Sequence, residues 1–384
     1  MKVAGDWLTS NATQSVLAML TGAGHHALCV GGCVRNALLQ MPVSDVDIAT
    51  DATPETVTSL AEQAGLRAVP TGFAHGTVTV VVDGTGFEVT TFRHDVETFG
   101  RHARVAFSAD LTQDARRRDF TMNALYAQAD GQVIDPIGGL PDLQARCVRF
   151  VGTPENRIRE DFLRILRFFR FHAQYGDPAQ GLDADALAAC AAFAPRLETL
   201  SQERVGAEMR KLLAAADPAP AVAAMQASGV LRHILHGADA RALPVLVHLE
   251  GDTPGGWLRR LAVLGGADAA DALRLTRAET RALAQIRDQI GSTAGPAELG
   301  YRLNPHLATD VVLARAALTE SPPPANWQDD IAAGAKARFP LRPADLMPDL
   351  QGAALGAALK RAEAYWIASG FQADRETLIA IAQP

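Results

Sequence analysis

The chain has 384 residues, 48% hydrophobic and 21% charged, with a formal net charge of −7 at pH 7. That length exceeds one ordinary core and predicts two to four packed units at about 100 to 200 residues each. The acidic balance argues against a surface coated in positive charge that binds nucleic acid indiscriminately, although a local basic patch is compatible with it. No apolar stretch approaches the roughly 20 residues needed to span a bilayer, so no membrane contact is expected.

The first residues, MKVAGDWLTSNATQSVLAML, are interrupted by polar side chains throughout and lack the pattern of a secretory leader; a cytoplasmic protein is expected. Four cysteines, Cys29, Cys33, Cys147 and Cys190, form no CxxC pair and no zinc-finger spacing, and are expected to be buried reduced thiols. HALCV reads as a strand running into Gly31-Gly32, and DVDIAT as an extended segment. GTVTVVVDG and FEVTTF are β-branched runs separated by a glycine turn, and FTMNALYAQADGQVID reads as a helix followed by a short strand. After about Asp142 the helical period takes over, and strand signals nearly vanish. Proline and glycine clusters put sub-boundaries near residues 180, 217, 295 and 323.

The stretch VGGCVRNALLQMPVSDVDIAT, residues 30 to 50, concentrates chemistry-bearing residues. A strand that ends in Gly31-Gly32 and opens a helix leaves backbone N–H groups facing outward, and glycine lets an anion approach them closely. Arg35 would add a forked donor for phosphate oxygens. On an extended segment Asp45 and Asp47 share a face, and paired carboxylates beside an anion site suit one or two Mg²⁺ ions. The matching reaction is phosphoryl or nucleotidyl transfer; the plain alternative is a glycine turn followed by an acidic loop. A second Asp-x-Asp, Asp183 and Asp185, reads as a solvated helix start.

Together these residues resemble the signature of the DNA polymerase beta nucleotidyltransferase superfamily, and within it the class II tRNA nucleotidyltransferases: the CCA-adding enzymes and their bacterial poly(A) polymerase relatives. GGCVRNALL is similar to the family's GGxVRDxLL, with Asn36 where the family usually has Asp. EVTTFR resembles the family's next strand, which makes Glu88 a candidate third catalytic carboxylate or a plain surface residue. Residues 93 to 115 correspond to the family's flexible loop, and RRRDFTMNALY to its RRDFTxNAL motif. There the resemblance makes Arg118, Asp119 and Asn123 nucleotide-binding, while the Asp is also suited to capping a helix.

In ENRIREDFLRILRFFRF, helical spacing places Arg157, Asp161, Arg164 and Phe168 on one face, and an internal Asp161–Arg164 salt bridge would account for the pair. The stretch resembles the family's EDxxR motif, in which Asp and Arg read the incoming base. Cytosine and adenine both offer an amino donor beside a ring-nitrogen acceptor, so a carboxylate and a guanidinium can accept both and reject guanine and uracil. SQERVGAEMRKLL resembles a further family helix in which Glu203 and Arg204 either support the neck or act in function.

The resemblance implies an α+β protein: an N-terminal mixed-sheet nucleotidyltransferase head at 1–140, then an all-α neck at 141–215, body at 216–322 and tail at 323–384. It implies template-independent addition of CCA to the 3′ end of tRNA from CTP and ATP. Asp45, Asp47 and Glu88 would be catalytic, with Asp45 and Asp47 holding Mg²⁺. Gly31, Gly32, Arg35, Arg118, Asp119, Asn123, Asp161 and Arg164 would bind nucleotide. The competing readings are a poly(A) polymerase of the same family, a CC-adding specialist, and a non-catalytic RNA-binding protein on the same fold.

Overall fold

The computed structural model describes residues 1–99, 102–347 and 349–383. Gly100 and Arg101, in the middle of the expected flexible loop, lie outside the described residues. The chain forms two compact units, Met1–His236 and Gly237–Pro384.

The first unit is built on a seven-stranded mixed sheet formed by β1 (Ala27–Val30), β2 (Asp47–Thr50), β3 (Arg67–Gly72), β4 (Thr77–Val82), β5 (Thr85–Thr91), β8 (Tyr126–Ala127) and β9 (Val133–Ile134). Their spatial order is β3-β4-β5-β2-β1-β8-β9. β2 and β5 run parallel, and their register puts Asp47 opposite Glu88. Alternation decides the faces: Val78, Val80 and Val82 are buried while Thr77, Thr79 and Val81 are half-buried, as expected when one face of a strand meets a helical layer. That layer includes the helices Asn11–Gly22 and Pro54–Gln63, whose N-caps Ser10 and Thr53 accept from the backbone N–H groups of Thr13 and Thr56. Leu28, Val30, Ala49, Phe92, Ala115, Ala124 and Tyr126 form a second core.

Three segments depart from the sequence reading. Within residues 93 to 115, read as loop, β6 (Arg93–Phe99) and β7 (His102–Phe107) pair antiparallel, followed by the helix Leu111–Arg116. FTMNALYAQADGQVID makes only one tight turn, Thr121–Asn123, and then the β8–β9 hairpin. Gly131 shapes the connection between β8 and β9, with φ +84° and no room for a side chain: a Cβ there would stand 2.1 Å from the carbonyl oxygen of Val3. The helix expected through residues 157 to 168 is broken. One helix ends at Glu160, Asp161 is extended (φ −155°, ψ 109°), and the next helix runs Leu163–Tyr175. The Asp161 side chain accepts from the backbone N–H of Leu163 at 3.1 Å, which gives the chain a local alternative to a continuous helix.

Asp183, from the second Asp-x-Asp, caps the helix Ala184–Phe193 by accepting from Ala186 N at 3.0 Å, so the helix start is as read, but its side chain is half-buried and lies 3.4 Å from Arg149 Nε rather than solvated. Cys29, Cys33 and Cys190 are buried free thiols; Cys147 is only half-buried, because it sits at a loop rather than in a core. The second unit is helical among its described residues. Its tail helices Gly352–Ala368 and Arg375–Ala382 close over a core containing Ala362, Trp366 and Leu378. Arg259 is fully buried there and neutralised by Glu250 and Asp310, at 2.7 and 2.8 Å. Among the described residues no helix is long and apolar enough to cross a membrane.

Candidate active site

β1 ends at Val30, and Gly31 turns the chain into the helix Gly32–Leu38 with φ +72°, ψ −116°, a conformation that glycine adopts without strain. The turn is pinned from behind by Gly31 N donating to Leu125 O at 3.1 Å. Beside it, Asp47 opens β2, and Glu88 lies opposite on β5. Asp45 precedes the strand in an irregular segment, where its carboxylate accepts from the Ser44 hydroxyl at 2.9 Å. Partial desolvation first, then Glu88 and Asp45, raise the Asp47 carboxyl above its ordinary range, while Arg118 pulls it the other way. Like charges in register on neighbouring strands repel, and a cation bound between them would relieve that crowding. Among the described residues no three His, Cys, Asp or Glu side chains form a metal-holding group by themselves. The oxygen donors of Asp45, Asp47 and Glu88 are of the type that hard divalent ions take alongside substrate oxygens and water.

Arg118 sits against the same turn: a Cβ on Gly31 would stand 3.4 Å from its Nη1. Asp119 lies behind it with both carboxylate oxygens occupied. Oδ1 accepts from Phe120 N and Asn123 Nδ2, each at 2.9 Å, and Oδ2 accepts from Arg167 Nε and Nη2 at 2.8 and 2.5 Å. Burial raises the Asp119 carboxyl, but Arg167 and its hydrogen bonds outweigh that and hold it well below the usual carboxylate range. Asn123 Oδ1 in turn accepts from Arg35 Nη1 at 2.6 Å.

Arg35, expected to face phosphate, is only 6% exposed. Its remaining donors reach Asn36 Oδ1, from Nε at 3.1 Å and from Nη2 at 2.8 Å, and the Tyr175 hydroxyl at 2.7 Å. Its guanidinium also stacks 3.9 Å from the Tyr175 ring centroid. The fork thus meets protein acceptors and joins the glycine turn to the helix Leu163–Tyr175. Asn36 fits its place: Oδ1 takes the arginine while Nδ2 donates to Pro42 O at 2.9 Å, the one amide orientation that satisfies a donor-only and an acceptor-only neighbour.

Asp161 and Arg164 do not pair with each other. Asp161 Oδ2 accepts from Arg204 Nη2 at 2.6 Å, and Arg164 donates to Glu160 and to Arg157 O. The Glu160–Arg164 pair is the short internal bridge, one residue earlier than the pairing considered from sequence. Two links connect this neck region to the glycine turn: Arg35 to Tyr175, and Asn123 through Asp119 to Arg167. Glu208 completes the second, taking Arg170 Nε at 2.6 Å and lying 3.8 Å from Arg167.

Two family models match the chain: the poly(A) polymerase head domain over residues 27–149, and the probable RNA and SrmB-binding site of polymerase A over residues 181–241. A CCA-adding enzyme of Streptococcus gordonii is 42% identical over 241 residues, which cover 62% of this chain and 58% of that protein. The human mitochondrial CCA tRNA nucleotidyltransferase 1 is 39% identical over 207 residues, 54% of this chain and 48% of that one. The matched region thus spans about half the length of these curated relatives. The crystal structure of a Bacillus stearothermophilus CCA-adding enzyme in complex with CTP superposes with a TM-score of 0.77 at 28% identity, covering 96% of each chain. Residues 27–149 thus match a poly(A) polymerase head domain, and the chain is similar in sequence and fold to CCA-adding enzymes.

Around this candidate site, sequence reasoning missed the partners that hold its residues: Asp114, Tyr126, Glu160, Arg167 and Glu208. Arg167 carried a signal, since it follows Arg164 on the same helix one turn later. Asp114 carried little, because an acidic residue in a polar stretch reads as surface, whereas here it is fully buried.

Proposed function

We propose that the chain adds CCA to the 3′ end of tRNA from CTP and ATP without a nucleic-acid template. The observation that carries this reading is the join between the two halves of the site. The carboxylates and glycine turn of the sheet are tied by Asn123–Asp119–Arg167 to the helix that bears Arg164, so phosphate chemistry and base recognition share one frame. The likeness to CCA-adding enzymes supports it.

In this reading, residues 1–140 act as head, 141–215 as neck, 216–322 as body and 323–384 as tail, with the tail contacting tRNA in the cytoplasm. Asp45, Asp47 and Glu88 would hold Mg²⁺, which when bound acidifies the attacking hydroxyl and neutralises charge on the triphosphate. Gly31 and Gly32 let phosphate oxygens approach the backbone, and Arg118 Nη1 faces the same space. Asp119, its oxygens already occupied, acts by fixing Asn123 and Arg167. Asp161 accepts from the amino group of cytosine or adenine, and Arg164 donates to the adjacent ring nitrogen once it turns from Glu160. A mismatched base leaves these groups unpaired, a penalty of about 1 to 3 kcal/mol per contact.

The test is CTP incorporation into tRNA lacking CCA by the wild type, D47N and E88Q across a Mg²⁺ titration. D47N is expected to lose about 10³-fold in kcat and E88Q to need more Mg²⁺. Retention of near wild-type turnover by D47N would overturn the catalytic assignment.

A further inference from the structure

Arg118 is the only one of the three consecutive arginines 116 to 118 that lies against the glycine turn, and what aims it there is a pair of residues without an assigned role. Asp114, on the helix Leu111–Arg116, is fully buried, as is Tyr126 on β8. Asp114 Oδ2 accepts from Arg118 Nη2 at 3.1 Å and from the Tyr126 hydroxyl at 2.7 Å, while that hydroxyl accepts from Arg118 Nε at 3.1 Å. The guanidinium is also held 5.3 Å from the Tyr126 ring centroid. Asp114 Oδ1 is filled separately by Arg117 Nε and Nη2, at 2.8 and 2.6 Å.

Two of the three guanidinium nitrogens of Arg118 are therefore fixed from behind. Nη1 is left beside Gly31, with no protein acceptor among the described residues. A guanidinium is planar, so holding Nε and Nη2 sets the direction of Nη1. Donors prearranged toward a site of developing negative charge need no reorganisation at the moment of reaction.

We propose that Asp114 and Tyr126 are positioning residues that aim Arg118 Nη1 at the phosphates of the incoming nucleotide. The inference rests on the nucleotidyl-transfer reading above. It also gives the strand pair β6–β7 a physical connection to the site, because Asp114 lies seven residues beyond its last strand, on the helix that follows it.

The experiment is a double-mutant cycle. D114N, Y126F, R118A, D114N/R118A and Y126F/R118A are compared for kcat and KM toward CTP, KM toward tRNA, and CTP affinity by calorimetry. D114N is expected to lower kcat/KM for CTP by about 10- to 100-fold, with KM for tRNA unchanged within about twofold. In the R118A background, D114N and Y126F are expected to change CTP kinetics and affinity by less than about twofold, because the group they aim is gone. Equal effects in both backgrounds would overturn the proposal and leave the pair as fold support. If D114N fails to fold, the Y126F cycle decides in the same way. Absence of any transfer by the wild type would count against the functional reading, and the CTP-affinity cycle would still decide the positioning role.

Discussion

Replacing Asp119 by asparagine tests whether the link between the sheet and the neck helix is held by charge. The Asp119 carboxylate has four donors, and the Asp119 and Arg167 side chains are 11% and 31% exposed. Breaking a buried pair by removing one charge destabilises by about 3 to 5 kcal/mol, whereas exposed pairs contribute about 0 to 1. Arg167 keeps partial access to water and to Glu208, so D119N should lose about 2 to 3 kcal/mol at pH 7. The pH dependence has a definite sign. The folded Asp119 carboxyl is held below its unfolded value of about 3.9, so its contribution is fully present above that value. It declines as the pH falls below about 4 toward the folded value, because the unfolded chain binds the proton first. Urea unfolding of wild type and D119N at pH 7, 5, 4 and 3 should show a stability gap that is constant from pH 7 to 5 and shrinks by pH 3. A gap of the same size at pH 3 and pH 7, or under about 0.5 kcal/mol at pH 7, would refute the reasoning.

R204A removes the partner of Asp161 at its Oδ2, and should raise KM for both CTP and ATP about 10-fold with tRNA affinity unchanged; steady-state kinetics with each nucleotide check this. N36A strips an acceptor from the buried Arg35 and should destabilise by about 1 to 3 kcal/mol, whereas N36D, which adds a countercharge for Arg35 but loses the donor to Pro42 O, should be less destabilised than N36A in urea unfolding. G31A forces a side chain into a positive-φ turn against Arg118, and should cost about 1 to 2 kcal/mol in stability along with most of the CTP affinity, read by calorimetry.

The parts of the site that chain neighbours specify were readable from sequence. Gly31-Gly32 after an apolar strand and the Asp45/Asp47 pair lie within one short stretch, and β2 carries Asp47 at its start as the alternation implied. Asp45 departs from it, because the strand starts two residues later than the extended reading assumed. The registers that put Glu88 opposite Asp47 and Arg204 against Asp161 depend on contacts 41 and 43 residues apart in the chain, which local periodicity does not encode. Arg35 shows the same limit. A forked donor next to a phosphate-type turn reads as a ligand contact, and only the fold reveals that Asn123, Asn36 and Tyr175 occupy it. The helix across Asp161 failed for a local reason, since a side-chain acceptor at that position competes with the backbone ladder, and periodicity cannot weigh the two. The strands β6 and β7 were hidden because charged residues (Arg93, Asp95, Glu97 and Arg104) interrupt their apolar ones and blur a clean period-2 alternation.

The most direct measurement is an extension assay with purified protein, Mg²⁺ and tRNA ending before CCA, after C and after CC, supplied with CTP, ATP or both and resolved at single-nucleotide length. Growth to CCA from each substrate and arrest there is expected, with GTP and UTP ignored. Long A-tails on varied RNAs, arrest at CC with ATP present, or no extension at all would contradict the proposed function.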